Sequence, residues 1–141
     1  FLRRAASEAD LRAVQALRHA VFVAGLRLRG GDRSDPTAGL EADRFDPYCD
    51  HLLLCDGLGG GLVGTTRLMD EAGAARAGGF ATEAEFDIGP LRASGRRLLE
   101  VGRTCLLPEH RGGAAMHRLW QGLAAVVEER GTGLLFGLAP A

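Results

Sequence analysis

The segment LLEVGRTCLL, residues 98–107, runs directly into PEHRGGA, residues 108–114. The first segment is mostly apolar, which predicts a β-strand, yet it carries a carboxylate at Glu100 and a guanidinium at Arg103. A charge among buried apolar neighbours costs several kcal/mol unless it is paired or takes part in chemistry. The second segment is a glycine-rich turn that predicts the start of a helix, where free backbone N–H groups can bind an anion.

Glu100 and Arg103 should face opposite sides of a regular strand, because side chains alternate between its faces. Gly102, between them, can host a β-bulge that brings both side chains toward one face, as bulges often do beside active sites. The alternative is a structural ion pair. A carboxylate beside a phosphate-binding turn favours transfer of a group from a phosphopantetheine carrier to an acceptor that must lose a proton.

The segments before this strand predict a helix and a hairpin. SEAD at 7–10 resembles a capping box, and the apolar repeat after it predicts a helix over 8–23. Apolar runs at 51–55 and 62–69, separated by a glycine-rich turn, predict a β-hairpin. We expect polar or small-residue loops at 24–40 and 70–80, and a short helix or turn at 82–91.

The segments after the strand predict a second helix and a final strand. Residues 113–130 form the helix, Gly131 is its C-terminal stop, and 134–139 form the strand. We expect strand 98–107 to lie beside the strand at 133–139, with the helix crossing between them, in an α/β (α+β) layered domain spanning 1–141. The apolar face of the helix is expected to comprise Met116, Leu119, Trp120, Leu123 and Val127.

Composition sets the broad class. The 141 residues are 46% hydrophobic and 25% charged, with a net charge of −1, which is typical of a globular domain and gives no indication of a nucleic-acid partner. All basic residues are arginine, which excludes lysine Schiff-base chemistry in this segment. Cys49, Cys55 and Cys105 are odd in number and lack CxxC spacing, which predicts free thiols in a reducing cytoplasm. The chain begins with Phe1, so we expect a piece of a longer protein.

Two further motifs have ordinary interpretations. Gly59, Gly61 and Gly64 match the GxGxxG dinucleotide pattern, but a strand-like segment follows them, so we interpret them as a hairpin loop. Asp43, Asp46 and Asp50 are close together; a solvated turn or an ammonium-binding cluster would both explain them. No spacing of His, Cys and carboxylates matches a metal site, and we expect none.

Six segments in order resemble the ornithine N-acyltransferase family, which is hemolysin-like, belongs to the GNAT superfamily and is related to the acyl-homoserine-lactone synthases. The resemblance implies a GNAT fold and transfer of a 3-hydroxyacyl group from acyl carrier protein to the α-amine of ornithine. It implies no permanently bound cofactor, since the acyl-phosphopantetheine thioester is a co-substrate, and a lipid product that brings the protein to the inner membrane. The segments are LRHAVF (17–22), DRFD (43–46) with CDHL (49–52), VGTTRL (63–68), EAEFD (83–87), LEVGRTC (99–105), and RGG (111–113) before LW (119–120).

The resemblance also implies site residues. Glu100 is the candidate base, acting directly or through water on the acceptor amine, with Arg103 beside it. The resemblance also maps the acceptor site onto Arg18, Phe22, Asp43, Asp46, Arg67 and Phe86. By charge type alone, Asp43 or Asp46 would hold an ammonium group, and Arg67 or Arg103 a carboxylate. The free backbone N–H groups of the strand and the glycine-rich turn, rather than the resemblance, predict the donor residues Val101, Thr104, Arg111, Gly112, Gly113 and Ala114.

The chain departs from the family pattern at three places. Ala81 replaces an aromatic residue, Gly25 replaces an acidic one, and the chain stops at Ala141, where the family continues into further strands and a helix. Three other functions remain open. The domain could acetylate another amine from acetyl-CoA, or bind a carrier protein without catalysis. A lactone synthase is less favoured, because that family's N-terminal tryptophan is missing and Trp120 is the only tryptophan here.

Overall fold

A computed structural model describes residues 1–57 and 60–137. Five strands form one sheet in the order β1-β2-β3-β4-β5, with antiparallel neighbours except for the parallel pair β4–β5. The sheet is therefore a meander that ends in one crossover. The strands are β1 (Leu2–Arg4), β2 (Asp50–Cys55), β3 (Leu62–Asp70), β4 (Leu98–Leu106) and β5 (Leu134–Phe136).

Four α-helices and several short turns connect the strands. α1 continues without a break into a π-helix over His19–Gly25, and three-residue or four-residue 3₁₀ turns occur at Asp46–Tyr48, Ala81–Ala84 and Pro108–His110. The helices are α1 (Glu8–Arg18), α2 (Glu71–Ala77), α3 (Gly89–Ala93) and α4 (Ala114–Arg130).

The caps of the two long helices explain where they begin and end. Ser7 accepts a hydrogen bond from the Asp10 amide at 3.1 Å, which satisfies one of the free N–H groups at the start of α1. α4 ends at Gly131, whose φ of +63° is the left-handed conformation that glycine adopts without strain. The start of α1 and the end of α4 both agree with the sequence prediction.

The two faces of the sheet have separate hydrophobic cores. On one face α4 packs Leu119, Leu123 and Val126 against leucines of the sheet. On the other face, α1 and the π-helix pack against the middle of the sheet, while α2 and the Ala81–Ala84 region enclose a second cluster around Met69 and Phe80. The charged residues of the candidate active site lie on the face of the sheet that packs against α1 and α2.

The predicted order of strands is confirmed. β2 and β3 form the expected antiparallel hairpin, and Gly64 lies within β3, so no helix follows the GxGxxG motif. β4 pairs with β5 in parallel, from Leu98 with Leu134 to Glu100 with Phe136, and α4 connects them. Residues 58–59 of the hairpin loop and residues 138–139 of the predicted last strand lie outside the described residues.

Two predictions about secondary structure and packing were wrong, and one strand was not predicted. The segment 70–80 is not a loop, because Asp70 caps α2 and Gly78 ends it with a φ of +86°. Trp120 does not lie on the buried face of α4; it is 51% exposed, and Val126 occupies the core instead. The N-terminal strand β1 was not predicted, because three residues are too few for a periodic pattern. Among the described residues, no helix is long and apolar enough to cross a membrane.

Leu99 tests the core beneath α4. It is fully buried against Leu123, so Leu99→Ala should lower the free energy of unfolding by about 2–5 kcal/mol through lost contacts and a residual cavity. The matched control is Leu28→Ala, which removes the same atoms from an exposed position and should change stability by less than about 1 kcal/mol. Urea denaturation measures both, and equal losses would contradict this packing.

Candidate active site

A β-bulge in β4 places Glu100 and Arg103 on the same side of the sheet. Thr65 pairs with Cys105 and Arg67 pairs with Gly102, so β4 contains one residue more than β3 over this interval. Arg103 lies in this interval, with a φ of +51°, a left-handed conformation that few non-glycine residues adopt. The predicted bulge is confirmed, with the unusual backbone at Arg103 rather than at Gly102.

Six charged side chains form a closed cycle, which we call the ionic ring. Arg18 bonds to Glu41 and Asp46, Arg67 bonds to Asp46 and Asp43, and Arg103 lies against Asp43 and Glu41. Each arginine thus lies between two carboxylates, and the three positive and three negative charges cancel. The nitrogen–oxygen distances are 2.7 Å for Arg18–Glu41 and Arg18–Asp46, 2.9 Å for Arg67–Asp46, 2.7 Å for Arg67–Asp43, 3.2 Å for Arg103–Asp43 and 3.3 Å for Arg103–Glu41.

The ring joins elements that are distant in sequence. Arg18 ends α1, Arg67 lies in β3, Arg103 lies in the bulge of β4, and the three carboxylates come from the segment 41–46. Glu41 was missed by sequence reasoning. Its spacing in Glu41-x-Asp43-x-x-Asp46 was the available signal, because three carboxylates before a buried strand require three partners.

Electrostatics keep three members of the ring ionised. Burial opposes the charge of Asp46, but hydrogen bonds from Arg18 and the charge of Arg67 hold the pKa of Asp46 well below its usual value. Burial likewise opposes the charges of the two arginines, yet their carboxylate partners raise the pKa of Arg18 and of Arg67. At neutral pH these three side chains are therefore fixed charges.

Burial in the ring corrects two predicted acceptor contacts. Arg18 is completely buried, and its guanidinium is occupied by Glu41 and Asp46. Asp46 is also buried and accepts hydrogen bonds from Arg18, Arg67 and Gln15. Neither side chain has a free group with which to contact an acceptor, so both have a structural role.

The other predicted acceptor residues differ in their burial and in whether they lie at the ionic ring. Phe22 is half-buried against Leu17 and Val21 beside β4, whereas Phe86 is 60% exposed and is not brought to the ring. Arg67 is buried with one nitrogen shared between two carboxylates. The side chain of Arg103 is 35% exposed, and its Nη1 has no hydrogen-bond partner among the described residues. Arg103 is therefore the accessible cation of the ring.

Glu100 does not pair with Arg103, so the structural ion-pair alternative is wrong. The Glu100 side chain is 6% exposed and accepts three hydrogen bonds from the Ala81–Ala84 turn. Its register partner Phe136 is the last residue of β5. Gly137, directly after β5, still lies against the backbone of Val101, where a Cβ on Gly137 would meet the Val101 carbonyl oxygen. From Gly102 onward, β4 has no neighbour on the β5 side within the described part of the chain, and we call this part its open edge.

The open edge of β4 leads to the N-terminus of α4. Gly113, with a φ of +96°, precedes the helix, and no described group accepts a hydrogen bond from the amides of Gly112, Gly113, Ala114 or Ala115. These amides are therefore free to bind an anion, and the anion-binding turn stays a prediction. It has one donor fewer than expected, because the Arg111 amide donates to the Pro108 carbonyl at 3.3 Å.

The predicted donor residues on β4 face the α4 side of the sheet. Val101 packs against the cluster beneath α4, and the Thr104 hydroxyl bonds to the Thr66 hydroxyl at 2.8 Å. Only their backbone groups can therefore line the open edge. Bulges commonly redirect backbone in this way beside active sites.

The cysteines and His51 have no reactive role in this geometry. The three cysteines are free, and burial raises the pKa of Cys49 and of Cys105 to about 12, so both thiols stay protonated. Burial lowers the pKa of His51, whose Nε2 lies 3.0 Å from the Asp46 carbonyl oxygen and donates to it in the neutral ring. Within residues 1–57 and 60–137, no group of three metal-ligating side chains converges.

Comparison with known proteins gives consistent matches. A family model described as an acetyltransferase (GNAT) domain matches residues 17–121. The chain is 47% identical to an L-ornithine N(alpha)-acyltransferase of Rhodobacter capsulatus, covering 98% of this chain and 55% of that protein. It is 39% identical to the protein of the same name from Rhizobium meliloti, covering 96% and 48%. The chain thus spans about half the length of these curated relatives.

Solved structures support the same fold. An N-acyl amino acid synthase from uncultured soil microbes, FeeM, matches with a TM-score of 0.73 and 16% identity, covering 99% of this chain and 71% of the other. The acyl-homoserine-lactone synthase LasI matches with a TM-score of 0.67 and 16% identity, covering 96% and 69%. At these identities the likeness concerns the fold alone.

Asp46 tests the ionic ring through the pH dependence of stability. Its folded pKa lies below the unfolded value of about 4, so its contribution is complete above that pH and is lost as the pH falls toward the folded value. Asp46→Asn should lower the free energy of unfolding at pH 7 by about 3–5 kcal/mol and flatten its fall below pH 4.

Urea denaturation over a pH series measures this effect. The control is Asp87→Asn, at an exposed carboxylate with no ion pair among the described residues, which should leave both values nearly unchanged. The same slope below pH 4 in the Asp46 variant and the unmodified protein would refute the role of the ring.

Proposed function

The chain belongs to the acetyltransferase (GNAT) domain family, and from this we propose that its protein transfers a 3-hydroxyacyl group from acyl carrier protein to the α-amine of L-ornithine. The product is a lyso-ornithine lipid. The observation that carries the proposal is the similarity to proteins named L-ornithine N(alpha)-acyltransferase over nearly the whole chain. The reaction belongs in the cytoplasm, where both substrates occur, and its amphiphilic product brings the protein into peripheral contact with the inner membrane.

The donor binds along the open edge of β4. The free amides of Gly112, Gly113 and Ala114 at the start of α4 receive the phosphate of the phosphopantetheine arm, because a helix N-terminus carries unpaired N–H groups and positive potential. The arm then lies against the β4 backbone from Val101 to Thr104 and carries its thioester toward Glu100. Acyl carrier protein is proposed as the source of this arm, and coenzyme A carries the same group.

The acceptor binds on the side of the ionic ring. The free Nη1 of Arg103 meets the ornithine carboxylate, since a guanidinium binds a carboxylate through parallel hydrogen bonds. The carboxylate of Asp43 accepts fewer hydrogen bonds than that of Asp46, and it faces the α-ammonium group. Ring charges thus orient the amino acid before the reaction begins.

Glu100 accepts the proton that the ammonium group must lose, directly or through one water molecule. The freed amine attacks the thioester carbonyl, a C–N bond forms and the C–S bond breaks. Backbone N–H groups of the bulged segment at 101–104 stabilise the oxyanion of the tetrahedral intermediate. The proton held by Glu100 then passes to the departing thiolate, and the second proton, which the nitrogen must lose as the amide forms, passes to solvent through the restored carboxylate.

Product analysis tests the reaction itself. The full-length protein, offered ornithine and 3-hydroxyacyl carrier protein, should yield Nα-(3-hydroxyacyl)ornithine detectable by mass spectrometry. Acetyl-CoA with the same acceptor is the parallel reaction. If ornithine is acetylated but no 3-hydroxyacyl product forms, an acetyltransferase replaces this proposal. Absence of both products would favour a binding module.

Glu100→Gln tests the base. The amide keeps the shape of the side chain but cannot take up the proton, so turnover should fall on the order of 10²-fold or more, and the acidic limb of the pH–rate profile should disappear. Glu109→Gln, in the exposed turn before α4, is the matched control and should keep full turnover. Full activity of the Glu100 variant would refute the mechanism.

Gly113→Val tests the donor turn. A Cβ at this position enters open space, but a φ of +96° is strained for valine, so the free amides should turn away from the phosphate. Donor affinity measured by calorimetry should fall at least tenfold, equivalent to about 1.4 kcal/mol. Gly57→Val, also in open space but without a positive φ, should bind normally. Unchanged affinity in the Gly113 variant would exclude the turn.

A further inference from the structure

The carboxylate of Glu100 is held by one short turn. Its Oε2 accepts the Thr82 amide at 2.7 Å and the Thr82 hydroxyl at 2.6 Å, and its Oε1 accepts the Ala81 amide at 3.1 Å. These donors lie at the start of the Ala81–Ala84 turn, eighteen and nineteen residues before Glu100 in the sequence. Thr82 was not among the residues indicated by sequence.

Counting acceptor sites distinguishes the two oxygens of Glu100. A carboxylate oxygen can accept about two hydrogen bonds. The two bonds from Thr82 therefore fill Oε2, whereas the single bond from Ala81 leaves one site on Oε1. Only Oε1 can take up a proton without breaking a hydrogen bond to Thr82.

The turn is itself fixed in position. Phe80, directly before it, is buried and packs edge-to-face against Phe136 with ring centroids 5.0 Å apart. Phe136 is the β5 partner of Glu100, so the turn is anchored to the strand beside the carboxylate. The Phe80 amide also donates to Glu83 Oε1 at 2.9 Å. Thr82 is 7% exposed, so its hydroxyl is held at Glu100 rather than turned toward solvent.

We propose that Thr82 is a positioning residue for acyl transfer: it occupies Oε2 of Glu100, so that Oε1 alone receives the proton of the acceptor amine. The proton moves from the amine nitrogen to the free site on Oε1, and the nitrogen electron pair becomes available for attack. This inference rests on the proposed function.

Substitution of Thr82 in the full-length enzyme tests the inference. Thr82→Val is nearly isosteric and lacks the hydroxyl, so kcat should fall about tenfold, less than in Glu100→Gln, with little change in the ornithine KM. Thr82→Ser retains the hydroxyl and should restore kcat.

Two controls separate this inference from the proposed function and from simple loss of folding. Thr82→Val combined with Glu100→Gln should be no slower than Glu100→Gln alone, since Thr82 acts through Glu100. If thermal melting shows that the valine variant is unfolded, Thr82→Ala provides the same comparison of kcat and KM with a smaller side chain.

Each possible result has a defined consequence. An inactive Glu100→Gln with normal kcat in Thr82→Val would overturn the role of Thr82 alone. Equal losses in the valine and serine variants would also overturn it, because the hydroxyl would then be irrelevant. A fully active Glu100→Gln would overturn the proposed mechanism first.

Discussion

The ionic ring is the constraint on which the arrangement of the site depends. Segment 41–46 has no apolar periodicity, yet it is fixed, because its three carboxylates are shared among Arg18, Arg67 and Arg103. The alternation of charge matters more than the strength of any single pair. Removing one member leaves two partners buried with unbalanced charge, which costs more than the pair contributed. The ring thus connects α1, β3 and β4 through a segment that lacks a core of its own.

The ring also accounts for the strained backbone of β4. A non-glycine residue in the left-handed region costs about 1–3 kcal/mol and persists only where the surroundings hold it. Arg103 is held there by Asp43 and Glu41, both fixed in turn by other arginines. The strain brings a partly exposed guanidinium to the same side as Glu100 and interrupts the regular alternation of the strand. The proposed amino-acid site therefore arises from side chains whose main task is structural.

How much the sequence could predict depended on the range of the interactions. The hairpin, β4, α4 and the bulge were predictable, since caps, glycines and alternation act over a few residues. Helix α2 was missed because its Ala- and Gly-rich segment has no apolar stripe, and its Asp70 cap was not recognised. Trp120 was misplaced because the buried stripe of α4 runs through Val126. Glu41 and Thr82 were missed, because their partners lie 23 and 18 residues away and only tertiary contacts bring them together; the carboxylate spacing at 41–46 was the one local signal, and it concerned Glu41 alone.

The distribution of hydrogen bonds around β4 explains how one strand could contact both the proposed acyl donor and the proposed amino-acid acceptor. On the ring side, the carboxylate of Glu100 is enclosed by the Ala81–Ala84 turn, so little of it can reorganise during proton transfer. At the open edge, the β4 backbone from Gly102 onward has no described neighbour on the β5 side, and the amides before α4 have no described partners, so both can accommodate the proposed donor arm. The bulge separates these environments within four residues. A regular strand would point Arg103 toward α4, away from Glu100, and the proposed acceptor would lose its carboxylate anchor.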